Sequence, residues 1–148
     1  MGINWAEQEL EIEATPQACF AAIVDFETYP EWQSAVLDTE VLDRYPDGLG
    51  KRVRLKVDAK LRTVTYVLHY HYNRPRKLWW DFVEGDGVKH IEGEYLFEEL
   101  DGRTRATYKL GVDVGIPVPG PIARKLNEEV MRRSIEDLKV RAEGLAAG

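Results

Sequence analysis

Between residues 35 and 114, β-branched and aromatic side chains recur at every second position, and "YPDGLG", "NRPR", "EGDG" and "LDGR" interrupt the alternation. A helix repeats its faces about every 3.6 residues, so an alternation of this length cannot be laid on one. The Gly, Pro, Asn and Asp clusters supply the backbone angles that tight turns require. The run predicts antiparallel strands joined by hairpins, over residues 35–44, 51–57, 61–73, 77–84, 89–99 and 104–114. A polar, Glu-rich alternating segment ending at 10–14 adds a first strand and brings the sheet to seven.

The flanks carry the opposite period. Thr15-Pro16 starts a helix: Thr can accept from a free first-turn N–H, Pro suits the first helical position, and Ala18, Phe20, Ala21, Ile23 and Val24 form an apolar face ending near Asp25. "FETYPEWQ" is broken at Tyr29-Pro30, which predicts a second short turn at Glu31, Trp32 and Gln33. "GIPVPGP", residues 115–121, fits neither a helix nor a central strand. Beyond it Ile122, Leu126, Val130, Ile135, Leu138 and Ala142 recur at helical steps to about Gly144. Such a helix is about 30–35 Å long and must lie across the sheet. The expected class is therefore α+β.

At 148 residues the chain is expected to form one domain, 1–148, with no second core. Its apolar runs are too short to span a bilayer. "MGINWAEQELEIEA" lacks the basic and apolar regions of a secretory signal, and Ala6 stands where a myristoylated Gly2 would want Ser or Thr. Cys19 alone allows no internal disulfide, which fits a cytoplasmic location. A net charge of −6 argues against DNA or general nucleic-acid binding, whose affinity comes from neutralising phosphates.

Hairpin turns set register, and register sets faces. A two-residue turn at Asp101-Gly102 puts Phe97 opposite Ala106 and Tyr95 opposite Tyr108. Continuing through "VEGDGV" sets Trp80 against Gly93 and Phe82 against Ile91. Through "NRPR", Tyr70 meets Trp80 and Tyr72 meets Leu78. Val64, Tyr66, Leu68, Tyr70 and Tyr72 then share the concave face. His69 falls opposite Asp81 and His71 opposite Trp79 on the other face, with His90 outside as well. A strand His-x-His offers two zinc ligands, but His90 is separated from the pair by a strand, so no metal site is expected. The concave wall gathers Tyr66, Tyr70, Trp80, Tyr95 and Tyr108 beneath an Ile-, Leu- and Val-bearing helix. Buried Tyr and Trp need partners for their polar tips, so this is either a hydrogen-bonded core or a pocket of several hundred Å3, on the order typical of ligand sites.

"IEATPQACFAAIVDFETYPEWQSAVLDTEVLD", "LWWDFVEGDGVKHIEGEYLFEEL" and the Pro-interrupted loop before the last helix resemble the polyketide cyclase/dehydrase and coenzyme-Q-binding branch of the START-like (SRPBCC) superfamily. The specific pieces are "ATP" at the first helix, Asp25-Phe26-Glu27 with Tyr29-Pro30 and Trp32, Glu84-Gly85, and the G-x-Y-x-F pattern from Gly93 to Phe97. The resemblance implies a helix-grip fold: a seven-stranded antiparallel sheet wrapped around a long C-terminal helix, with two short helices between strands 1 and 2. It also implies a cavity for a small hydrophobic ligand such as a lipid, quinone or polyketide. Carried over by position, that cavity is lined by Trp32, Val53, Leu55, Tyr66, Leu68, Tyr70, Trp80, Phe82, Tyr95, Tyr108, Ile122, Leu126 and Val130, with "GIPVPGP" near its mouth.

Three functions fit these residues. A binder needs only an apolar pocket with a few placed polar groups. A polyketide cyclase or dehydratase needs a proton acceptor beside a carbonyl and an enolate stabiliser, for which Tyr66 or Tyr70 as acid and Glu84 as base are the candidates. Asp38 or Glu40 would join them if the second strand's register were reversed. An interaction module for protein, RNA or an anionic membrane surface would use Arg52, Arg54, Lys56 and Arg62 on the convex face, with Arg74, Arg76 and Lys77 at a hairpin tip. Cys19, helical and without an inward histidine, reads as a packed hydrophobe. Binding is the reading taken forward, with no cofactor expected.

Overall fold

The computed structural model describes residues 3–60, 62–115 and 118–147. Leu61, the expected start of the fourth strand, and Ile116 and Pro117 of "GIPVPGP" lie outside them, as does Gly2. The described residues form seven strands, β1 (Asn4–Ile12), β2 (Val36–Arg44), β3 (Gly50–Asp58), β4 (Thr63–Asn73), β5 (Lys77–Asp86), β6 (His90–Leu100) and β7 (Arg103–Asp113). They make one antiparallel sheet in the order β1-β7-β6-β5-β4-β3-β2. Every neighbour but β1–β7 is a hairpin, so the local turn signals were enough to order most of the sheet.

Between β1 and β2 lie α1 (Pro16–Ile23), a 3-10 turn (Phe26–Thr28) and α2 (Tyr29–Trp32). Thr15 caps α1 by accepting from the Ala18 N–H at 3.2 Å, and Pro16 occupies the first turn, where its missing N–H costs nothing. Tyr29-Pro30 opens α2 rather than breaking it, because Pro30 also falls in a first turn. α3 (Gly120–Ala147) is the long C-terminal helix. The arrangement is the helix-grip fold.

Register agrees with the turn-by-turn reading for Phe97–Ala106, Tyr95–Tyr108, Trp80–Gly93, Tyr70–Trp80, Tyr72–Leu78, His69–Asp81 and His71–Trp79. It departs at the far end of β5. The β5–β6 ladder runs only from Lys77–Leu96 to Trp80–Gly93, and a bulge opposite Val67 and Leu68 inserts Val83 between Phe82 and Glu84. A bulge moves every later side chain to the other face. Phe82 precedes the bulge and pairs with Leu68, but the β5–β6 ladder ends at Trp80 and so does not carry it to Ile91, while Glu84, beyond the bulge, pairs with Val67 on the convex face, where it is exposed.

α3 is held at several points along its length. Asn127 donates its amide to the carbonyls of Asn4 and Leu110 at 3.2 and 3.3 Å. Ser134 donates to the Gln33 side chain at 2.8 Å, and Asp137 accepts from the N–H and hydroxyl of Ser34 at 2.8 Å each. Lys139 reaches the Glu11 carbonyl at 3.0 Å, and Glu143 accepts from the Glu13 N–H at 2.8 Å. Met131, Ile135, Leu138 and Ala142 fill the core along this seam. The same anchoring turns the helix's first turns relative to the expected stripe. Ala123 and Asn127 face inward and Ile122 is 51% exposed, because Asn127 is drawn in by the two backbone carbonyls it binds.

Candidate ligand cavity

The concave face of the sheet and the first half of α3 enclose a cavity of about 170 Å3, smaller than the expected several hundred. A cavity of roughly 150 Å3 is known to admit one benzene ring, so the enclosed space suits one ring-sized group. Leu55, Tyr66, Leu68, Tyr70, Trp80, Tyr95, Tyr108, Leu126 and Val130 line it, as their inward register requires. At its rim stand Ala59 and Arg62 from the β3–β4 connection, Gly87 from the β5–β6 turn, and Val118 ahead of α3. The Arg62 guanidinium spans this rim by donating to the Gly87 carbonyl at 2.8 Å.

Four expected wall residues sit elsewhere. Val53 is fully buried in the neighbouring core. Trp32 packs edge-on to Tyr29, 5.2 Å between centroids, and donates its indole N–H to Thr28 at 2.9 Å. Phe82, at the end of β5 where the ladder to β6 has already parted, lies against His90 at 5.7 Å. Ile122 points outward with the turned helix.

The floor is an aromatic cluster. Tyr95 and Tyr108 stack with centroids 4.2 Å apart and planes at 11°. Trp80 tilts against both, at 6.1 and 6.0 Å, and against Tyr70 at 5.6 Å. Gly93 makes this possible: a Cβ there would lie 2.8 Å from the Trp80 ring and 2.4 Å from the Lys109 carbonyl oxygen. The glycine of the G-x-Y-x-F pattern is thus the seat of the indole.

The polar tips on this floor decide what it can do. Tyr29 donates to the Ile23 carbonyl and is satisfied. The indole N–H of Trp80 and the hydroxyl of Tyr95 are buried without a hydrogen-bond partner among the described residues. Ser134 lies near enough to Tyr95 to offset a small part of the rise that burial causes in its hydroxyl, but the two make no hydrogen bond of acceptable geometry. Each such orphan costs about 1–3 kcal/mol relative to a bonded group. Burial pushes the hydroxyls of Tyr66, Tyr70, Tyr95 and Tyr108 well above the ordinary tyrosine value, so at neutral pH all four are uncharged donors.

No carboxylate or histidine lines the cavity among the described residues. Glu84, the expected base, is outside by virtue of the bulge. Asp38 and Glu40 are exposed opposite Lys56 and Arg54, and Glu40 pairs with Arg54, so the reversed register does not occur. Cys19 is buried, and desolvation raises its thiol above the ordinary value.

The convex basic stripe is largely neutralised. Arg52 binds Asp43 at 3.0 Å and by that hydrogen bond holds its carboxyl below the ordinary range. Arg54 is paired with Glu40 and Arg74 with Asp47, while Arg62 is turned to the cavity rim. Sequence reasoning did not find Asn127, Gln33, Ser134 or Arg62 as parts of this site. For Asn127 a signal existed, since it shares a helical face with Ala123 and Met131 and a lone polar residue there must bind something. No helix among the described residues is long and apolar enough to cross a membrane.

The family model described as polyketide cyclase / dehydrase and lipid transport matches residues 6–143. Among solved structures, a START superfamily protein from Mycobacterium smegmatis is 26% identical, with a TM-score of 0.89 over 97% of this chain and 99% of that one. A Thermus thermophilus protein is 21% identical, with a TM-score of 0.82 over 96% of this chain and 99% of its own. The Zhui aromatase/cyclase from Streptomyces is 18% identical, with a TM-score of 0.76 over 98% of this chain and 94% of its own. At that identity the last two show the shared fold alone. No curated protein matches the sequence.

Proposed function

The chain belongs to the polyketide cyclase/dehydrase and lipid transport family, and from that premise we propose that it binds a small hydrophobic ligand bearing a carbonyl-type oxygen, with the whole chain acting as one helix-grip unit. The observation that carries this reading is the pair of buried, unpartnered donors, Trp80 Nε1 and the Tyr95 hydroxyl, on an otherwise apolar floor. A ligand oxygen that accepts from one or both relieves a penalty already present in the ligand-free site, which gives selectivity for an oxygenated ligand over a hydrocarbon of the same shape. Among lipids, quinones and polyketide-like molecules, this favours those with a ring-borne carbonyl. A ring-sized head fits the cavity, and a longer tail would leave past Arg62, Gly87 and Val118.

Proton abstraction draws no support from the wall. Its donors are neutral phenols held far from ionisation, suited to stabilising an oxygen and unsuited to removing a proton. Binding, transport or presentation is the reading that uses every feature of the site. The test is equilibrium binding of acetophenone against cumene, which have nearly the same shape and differ in the carbonyl. Two neutral hydrogen bonds predict a preference for the ketone of about 5–100-fold after correction for water solubility. Equal affinities would remove the two donors from the account.

A further inference from the structure

The convex face carries a second constellation that the cavity does not use. His69 and His71 on β4 and Asp81 on β5 bring a ring nitrogen each and a carboxylate oxygen within 4.8 Å of one another. The imidazole centroids are 4.4 Å apart. His71 Nε2 and Asp81 Oδ2 are 2.7 Å apart. Sequence reasoning dismissed a metal here because it sought the third ligand in His90. The register supplies Asp81 instead, directly across from His69.

We propose that His69, His71 and Asp81 form a binding site for a divalent transition-metal ion of the zinc type, with the fourth position open to water. Two imidazoles and a carboxylate are a donor set that zinc accepts, and three protein ligands with one open position is an established arrangement for it. Bonds of about 2.0–2.2 Å place tetrahedral ligand atoms roughly 3.3–3.6 Å apart. The ion would take the proton's place between His71 and Asp81 while the wider separations close, which small side-chain rotations of these partly exposed groups can supply. The backbone need not move, because alternate residues of one strand and the facing residue of the next already converge.

The surroundings hold two of the ligands in place. Trp79 stacks on His71 with centroids 5.4 Å apart and planes at 19°. The Tyr45 hydroxyl donates to the Tyr70 carbonyl at 2.7 Å and lies 3.2 Å from His69 Nε2. With its proton engaged, Tyr45 serves His69 as an acceptor, so Nε2 carries the hydrogen and Nδ1 keeps a lone pair. A hydrogen bond to the second ring nitrogen that sets tautomer and orientation is the usual support of a metal-binding histidine. A cluster assembled only by surface chance would lack both the stacking partner and this buttress.

The test uses the full chain, stripped with chelator and titrated with ZnCl2 by calorimetry, with Co2+ absorption as a spectroscopic check on nitrogen and oxygen ligation. One ion per chain is expected. His71→Ala and Asp81→Asn should each weaken binding about tenfold or more, while His90→Ala should match the unaltered protein. Circular dichroism of each variant verifies folding, and acetophenone binding should be unchanged in all three because the cavity is on the other face. Absence of saturable uptake, or an equal affinity in His71→Ala, would overturn the site. Uptake of several ions with the same loss in every histidine variant would also overturn it.

Discussion

Tyr95→Phe should make the ligand-free protein more stable while making it a poorer binder. The Tyr95 side chain is 3% exposed and its hydroxyl has no hydrogen-bond partner among the described residues, whereas its ring stacks on Tyr108 at 4.2 Å. Phenylalanine keeps the stack and deletes only the orphan. Relief of an unmade buried hydrogen bond is worth about 1–3 kcal/mol. In a protein of this size that raises Tm by roughly 2–12 °C. Tyr29→Phe is the internal control, because that hydroxyl donates to the Ile23 carbonyl and its removal should cost about 1 kcal/mol. Urea unfolding of the two ligand-free variants measures both signs in one assay. Acetophenone titration should then show a loss of about 2–10-fold for Tyr95→Phe, the value of one neutral hydrogen bond. If Tyr95→Phe destabilises the ligand-free protein as Tyr29→Phe does, the hydroxyl is satisfied internally and the argument from unpartnered donors fails.

Gly93→Ala should destabilise by about 1–3 kcal/mol and shift tryptophan fluorescence. The added Cβ would meet the Lys109 carbonyl at 2.4 Å and the Trp80 ring at 2.8 Å, so an unchanged spectrum would contradict the seating of the indole. Glu84→Gln should leave ligand affinity unaltered, since the side chain is exposed on the convex face; a marked loss would return it to the cavity. Stability should fall as pH rises above about 10. Burial raises the folded-state values of Tyr66, Tyr70 and Tyr108, so above the ordinary tyrosine value the unfolded chain loses protons that the folded chain keeps, which favours unfolding. A flat urea midpoint from pH 9 to about pH 11 would show that these hydroxyls ionise freely.

How far the sequence could be read follows from where the structure is set locally. Hairpin turns are short-range, so once Asp101-Gly102 and "NRPR" are recognised, the pairing of Tyr95 with Tyr108 and of Tyr70 with Trp80 follows by counting. The count fails at Val83, where a bulge that no turn residue announces reverses the parity of Glu84, and the early end of the β5–β6 ladder at Trp80 leaves Phe82 without its Ile91 partner. The phase of α3 was similarly hidden. Its apolar stripe suggested Ile122 inward, yet the two carbonyls that bind Asn127 come from β1 and β7, far away in the chain. Nor could the basic stripe be seen as neutralised without the β2–β3 register that brings Asp43 and Glu40 to Arg52 and Arg54. Local chemistry shows in one sequence, while long-range pairings require the fold.

The most direct test of the central claim is native mass spectrometry of the purified protein, followed by solvent extraction and identification of what it releases. The account predicts a discrete hydrophobic molecule with a carbonyl-type oxygen, retained by the unaltered protein and by His71→Ala but held less well by Trp80→Phe. An empty spectrum from the unaltered protein, together with no uptake of acetophenone or an apolar fluorescent probe, would contradict it.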